Sequence, residues 1–227
     1  MAVDIHPRFF RVLAQAGTAM AQAEADELES SVPRSLEEAQ RIGCAIAKGK
    51  TAMLFGACLC GAAVLEGVTS AECSHWEEIG ISMGMTYQLV DDCVDLYGNE
   101  SASGKTAGGD FVAGRLTWPV LLGVTALREQ GLDFSLEALQ TGRLKDAQIS
   151  LLQTTLHSAQ VQMQLQMLVQ QRFVDHRRNA CKAGIAVSVM DAWSSDLNAQ
   201  FAICFPERMR INQQEPDVGV LVAAEMR

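Results

Sequence analysis

Polar and apolar positions along this chain follow helical rather than extended order over most of its length. Residues 8–29 (RFFRVLAQAGTAMAQAEADELE) are rich in alanine, glutamine and glutamate, all good helix formers. The acidic run at their end, Glu24 to Glu29, opposes the helix dipole and reads as a solvated face. Ser30 to Pro33 breaks the helix. Ser35 followed by Glu38 matches a capping box and predicts a second helical stretch, LEEAQRIGCAIAKGKTAMLFGACLCGAAVLEG. Lys48 and Lys50 are the only charges in its central part. Gly49, Gly56 and Gly61 lower its helix propensity, and small residues there permit close packing or leave room for a ligand.

Val68 to Ser74 reads as a turn, with Ser74 and Glu77 capping the next helix, which ends at Gly98. Asn99 to Gly114 carries four glycines and reads as loop. Pro119 suits the first turn of a new helix, PVLLGVTALREQG. Phe134 to Leu144 is short and ambiguous. Gln160 to Met167 alternates strictly, as a strand would, yet its Gln, Met and Leu residues favour helix. Asp175 to Cys204 reads as a final helix or pair of helices. The pattern predicts an all-α helical bundle, one domain over residues 1–227, with a poorly ordered tail from Arg210.

Composition narrows the function classes. A chain of 227 residues that is 48% hydrophobic has ample material for a core. Its net charge of −9 argues against nucleic acid as a partner. No signal-peptide pattern is read at the start, and the strongly apolar run Ala52 to Leu65 has 14 residues, too short to span a bilayer. The seven cysteines include no CxxC pair and several lie in apolar runs, Cys58 among them. They read as buried free thiols in a reducing, cytoplasmic compartment. The four histidines show no zinc spacing.

The chemistry concentrates between Gln88 and Pro119 (QLVDDCVDLYGNESASGKTAGGDFVAGRLTWP). Asp91, Asp92 and Asp95 fall within five residues, and helical spacing sets Gln88, one of the first two aspartates and Asp95 on one stripe. Val90, Val94 and Tyr97 point largely elsewhere and are free to pack. Clustered carboxylates repel unless a cation lies between them, and hard oxygen ligands suit Mg²⁺. Lys105 is a point charge suited to phosphate. The bland reading is a solvated acidic face, but the residues upstream (Ile81, Met83, Met85, Leu89, Val90) are apolar. NESASGKT, residues 99–106, misses the phosphate loop GxxxxGK[ST] by its first glycine and lacks the strand before it, so a nucleotide-binding loop is set aside. For Lys50 alone, the bland reading is a lysine that snorkels to the surface.

Taken together, these motifs resemble a trans-prenyl diphosphate synthase of the polyprenyl synthetase family. Lys50-Thr51-Ala52 with Leu54-Phe55 resembles its KTxxLF segment, and Gln88 to Asp95 its second aspartate-rich motif. Gly104-Lys105, Asp110, Gly114-Arg115, Thr117 and Pro119 resemble its GK…D…GK-T-P run, with Arg115 where the family often has lysine. The match is firm from about Lys50 to Gly123. The resemblance implies an isoprenoid-synthase-type bundle around a deep apolar cavity, with Mg²⁺ at its mouth bridging aspartates to an allylic prenyl diphosphate. On this basis Asp91 and Asp95 belong to the metal shell with Asp92 beside them. Lys50, Thr51, Gln88, Lys105 and Arg115 hold the substrate, and Lys50, Gln88, Asp91 and Lys105 carry the catalytic role. The second substrate implied is isopentenyl diphosphate.

The front of the chain departs from the family. Before Lys50 there is no DDxxD and no Arg-Arg pair, the first metal motif and the anchor for isopentenyl diphosphate. The expectation is a fold truncated at its N-terminal side and completed by a partner chain in a homo- or hetero-oligomer. Two alternatives accompany it, a non-catalytic small or regulatory subunit of a synthase and a terpene cyclase on the same fold.

Overall fold

The computed structural model describes residues 7–98 and 109–205, and every regular element among them is helical. Helix α1 spans Pro7–Glu29 and α2 spans Leu36–Ala47. A wide π turn, Lys48–Ala52, joins α2 without a break to α3, Met53–Leu65. Then follow α4 (Ser70–Tyr97), one short turn α5 (Gly109–Val112), α6 (Trp118–Glu129), α7 (Leu136–Gln140), α8 (Asp146–Leu156), α9 (Ala159–Lys182) and α10 (Val187–Ala202). The strictly alternating stretch Gln160 to Met167 lies inside α9, so helix propensity prevails over the apparent strand period.

Helix α4 is the axis of the bundle. It has 28 residues and contributes to four apolar clusters in succession. Cys73 packs with α1 and α3, and Ile79 and Met83 with α3, α9 and α10. Leu89, Val90 and Cys93 meet α6, α9 and α10, and Leu96 meets α6 and α8. Val90 and Cys93 are wholly buried, each burial contributing on the order of 1–3 kcal/mol. As the spacing predicts, Val94 and Tyr97 pack, and the Tyr97 hydroxyl donates to the Leu156 carbonyl at 2.9 Å.

Several local expectations need correction. The start of α4 is set not by Ser74 and Glu77 but one turn earlier. Thr69 Oγ1 accepts the Glu72 N–H, and the Glu72 carboxylate accepts the Thr69 N–H, a complete capping box. At Ser35 only half of the box forms, because the Glu38 carboxylate takes the Arg34 N–H instead. The expected loop from Asn99 to Gly114 contains α5, and residues 99–108 lie outside the described residues, as does the tail from Arg210. Cys58 faces solvent and is not core, as does Cys181, whereas Cys60, Cys73, Cys93 and Cys204 are buried. A mean apolar run does not tell which side of α3 a residue occupies. Gly49, Gly56 and Gly61 serve packing: added Cβ atoms would meet Ala23, Ile81 and Phe9 at 2.3, 2.7 and 2.7 Å. Because α2, the π turn and α3 are continuous, Leu36–Leu65 forms a 30-residue run that contains an 18-residue stretch of mean hydropathy 1.3, and by length and composition alone it qualifies as a membrane span. In the fold that run packs against α1 and α4.

Candidate functional site

The site begins with a close approach of two helices. A Cβ on Gly80 would lie 2.5 Å from the Phe55 carbonyl oxygen, and one on Gly84 2.5 Å from the Ala52 Cα. The α3 and α4 backbones therefore meet more closely than any side chain between them would allow. One turn beyond Gly84, this brings Gln88 to Thr51. The Thr51 hydroxyl donates to Gln88 Oε1 at 2.7 Å, and Gln88 Nε2 donates to Asp92 Oδ1 at 2.9 Å. Both ends of the Gln88 amide are thereby fixed.

Asp92 has a second partner in the backbone N–H of Trp118, the first residue of α6. The N-cap of α6, Thr117, makes no side-chain cap, and Pro119 brings no N–H, so this carboxylate serves a helix start otherwise short of acceptors. Burial pushes the Asp92 carboxyl up to about 7. The Gln88 and Trp118 hydrogen bonds oppose that rise, and the charges of Asp110 and Asp91 add to it. Asp95 accepts the Asp110 N–H at 2.9 Å, and Asp110 in turn accepts from Arg115 Nη1 at 2.5 Å. That contact holds the Arg115 guanidinium still more firmly in its charged form.

Lys50 departs from the bland reading of a snorkelling lysine. Its ammonium does not snorkel to bulk water but donates to Glu24 at 2.7 Å and also to Glu27, both on α1. These contacts raise its pKa, Glu24 ahead of Glu27. The acidic end of α1, read from sequence as a solvated face, thus has two of its carboxylates committed to the site. Their signal in the sequence was the three-residue spacing of Glu24 and Glu27, which places both on one helix face, the first next to the small Ala23 and the second one turn beyond it.

A cavity of about 430 Å³ brings these groups together. Lys50, Thr51, Gln88, Asp92, Asp110 and Arg115 line it alongside Ile42, Ile46, Met85, Leu89 and Leu121. Of the three aspartates, Asp92 is the one that lines it; Asp91 is half-buried on the same helix, and Asp95 reaches the site through Asp110. Cys44, Gln140 and Arg172 also line the cavity, a polar group that sequence reasoning missed because its members are 32 or more residues apart. Lys105 lies outside the described residues. No three His, Cys, Asp or Glu side chains among the described residues converge as a metal centre. The donor set nonetheless fits magnesium. It consists of hard oxygens, and the raised Asp92 carboxyl, crowded by Asp91 and Asp110, is one whose charge a cation would relieve.

Residues 2–154 match the family model for polyprenyl synthetase. Over 89 residues the chain is 35% identical to geranylgeranyl pyrophosphate synthase 10, mitochondrial, of Arabidopsis thaliana, covering 39% of this chain and 26% of that protein. Over 140 residues it is 29% identical to octaprenyl diphosphate synthase of Haemophilus influenzae, covering 62% of this chain and 42% of the other. Among solved structures, a decaprenyl diphosphate synthase from Rhodobacter capsulatus superposes with a TM-score of 0.66 at 22% identity, over 88% of this chain and 60% of that one. A polyprenyl synthase from Caulobacter crescentus CB15, complexed with calcium and isoprenyl diphosphate, gives 0.65 at 25% identity, over 88% and 59%. The chain thus spans between a quarter and three fifths of the length of these relatives. With more than half of its residues matched by the family model and its helices laid out as in these synthases, the chain has the isoprenoid synthase fold and belongs to the polyprenyl synthetase family.

Proposed function

We propose that this chain forms the allylic-diphosphate half of a magnesium-dependent prenyl-transfer site in isoprenoid biosynthesis, and that a partner chain supplies the rest. One observation carries the reading: the fixed run from Thr51 through Gln88 to Asp92 shares a single cavity with Lys50 and Arg115. The cations of Lys50 and Arg115, with Lys105, would meet diphosphate oxygens. Asp92, with Asp91 and Asp95, would hold Mg²⁺, which supplies charge neutralisation and Lewis acidity for the departing diphosphate. Gln88, fixed at both ends of its amide, orients Asp92. Met85, Leu89 and Leu121 give the cavity an apolar wall that keeps water from an allylic cation.

The partner is supported by α1. Of its 23 residues only Ala16 and Ala23 are buried. Phe10, Leu13, Ala14, Gly17, Ala21 and Leu28 form an exposed stripe on one side of the helix, with Phe10 and Leu28 at 64% and 81% exposure. The reading also places the protein in the cytoplasm, consistent with seven free cysteines. Calorimetry with geranyl diphosphate in Mg²⁺ should show binding by the isolated chain, while turnover with isopentenyl diphosphate should require co-expression with a partner. Robust turnover by a purified monomer would reject the partner, and no binding in Mg²⁺ would reject the site.

A second reading, a non-catalytic subunit that modulates a synthase, is favoured by the engagement of Lys50 with two internal carboxylates. Diphosphate binding that persists without turnover in any partner complex would select it.

A further inference from the structure

We propose that Glu24 and Glu27 are positioning residues that make diphosphate binding at Lys50 conditional on a divalent cation. The inference rests on the diphosphate reading given above and adds to it a control that no motif of the chain announces.

An ammonium has three donors, and two of those on Lys50 are already committed to Glu24 and Glu27. The trio carries one net negative charge. Arg115 is likewise engaged by Asp110. A bare diphosphate approaching these two cations therefore meets carboxylates first. To use Lys50 it must displace two anions from it while lying beside them, in a half-buried setting where screening is weaker than in bulk water. A diphosphate that arrives with a divalent cation brings the positive charge that offsets the two glutamates. Lys50 is then free to turn from one anion to the other.

The geometry shows that the arrangement is built into the fold. Gly49 lies inside the π turn, and a Cβ there would fall 2.3 Å from the Ala23 side chain and 3.2 Å from the Ala19 carbonyl. The missing side chain lets α1 seat directly on the turn. From Ala23, Glu24 is the next residue and Glu27 lies four on, so the seat at Gly49 delivers both carboxylates to Lys50. The side chains of Lys50 and Glu27 are 35% and 34% exposed, so this is not a fully solvated pair of the kind that contributes little.

The test is calorimetric titration with inorganic diphosphate, in EDTA and in excess Mg²⁺, on the full chain. Wild type should bind at least about tenfold more weakly in EDTA than in Mg²⁺. Glu24→Gln with Glu27→Gln should raise the affinity in EDTA by about tenfold and narrow the gap between the two conditions. Adding Lys50→Gln should cancel that gain, which a merely structural role for the glutamates would not predict. Glu24→Gln alone, at the more exposed carboxylate, should give a smaller gain of the same sign and serves if the double variant does not fold. An unchanged affinity in EDTA after loss of the glutamates overturns the proposal, as does wild-type binding that is equal with and without Mg²⁺. If no form binds diphosphate in either condition, the diphosphate site itself is wrong and the proposal falls with it.

Discussion

At the scale of single residues, the buried polar side chains divide into those that serve the site and those that serve only the fold. His176 belongs to the second kind. It is 2% exposed, shares a 2.9 Å hydrogen bond with Thr86 and lies edge-on to Trp193. Burial, then the charge of Arg172, hold its imidazole down at about 4 from an ordinary 6.5, with Asp175 opposing. Between those two values the unfolded chain binds a proton that the folded chain refuses. His176 therefore contributes fully above pH 6.5, and its contribution is lost as pH falls toward 4, an effect of about 3 kcal/mol. Urea unfolding at pH 7, 5.5 and 4 should show a steeper acid loss for wild type than for His176→Gln; parallel losses would remove His176 as the cause. Cysteines give a second contrast. Cys58→Ser should leave the melting temperature unchanged because Cys58 is exposed. Cys93→Ser, wholly buried between α4, α6 and α10, should cost about 1–3 kcal/mol. Residue types alone pointed to Asp91, Asp92 and Asp95 as chemical, and the family resemblance added Lys50. They did not distinguish which aspartate meets the cavity or which acids hold the lysine, since both depend on where α1 and α6 come to lie.

Among the helices, the contact that matters most to function is the seam between α3 and α4. Gly80 and Gly84 each face backbone atoms that cannot move aside as a flexible side chain would. Gly84→Ala should therefore destabilise by about 1–3 kcal/mol and part Thr51 from Gln88, weakening diphosphate binding beyond the loss of stability. A melting temperature within a degree of wild type would show that the seam has slack. The helices themselves were legible in the sequence: the breaks at Ser30 to Pro33 and Gly98, the proline start of α6, and helix over Gln160 to Met167 all follow from local rules. The π turn was not. It falls on Lys50 and Thr51, where the sequence KGKTA gives no sign that the ladder widens, and it is also where α1 seats on Gly49, a contact no local rule announces. The misplaced start of α4 has a simpler origin. Thr69–Glu72 and Ser74–Glu77 both fit a capping pattern, and only burial of Cys73 against α1 and α3 decides between them.

For the molecule as a whole, α4 reaches every apolar cluster, whereas α1 is fixed along one side only, by Ala16, Ala23, Phe9 and Val12 and by the bonds of Glu24 and Glu27 to Lys50, and leaves its other side uncovered. The stripe from Phe10 to Leu28 is therefore where a second chain should sit. Phe10→Asp with Leu28→Asp should abolish association in light scattering and leave the melting temperature of the isolated chain within about two degrees. Association that survives both changes would move the interface elsewhere. The wide turn at Lys48–Ala52 has a consequence for the whole molecule too. It accommodates one residue more than a regular turn, so α3 is set back by about one residue's rotation from where an unbroken α-helix would carry it. Were the same residues to wind as regular α-helix, with none removed, all thirteen positions of α3 would swing by about 100°. Gly56, Ala57 and Cys60 would turn away from the partners they now meet. The joint thus works as a phase corrector: it absorbs the rotation of one residue, so that the lysine faces α1 while the faces of α3 keep their own partners.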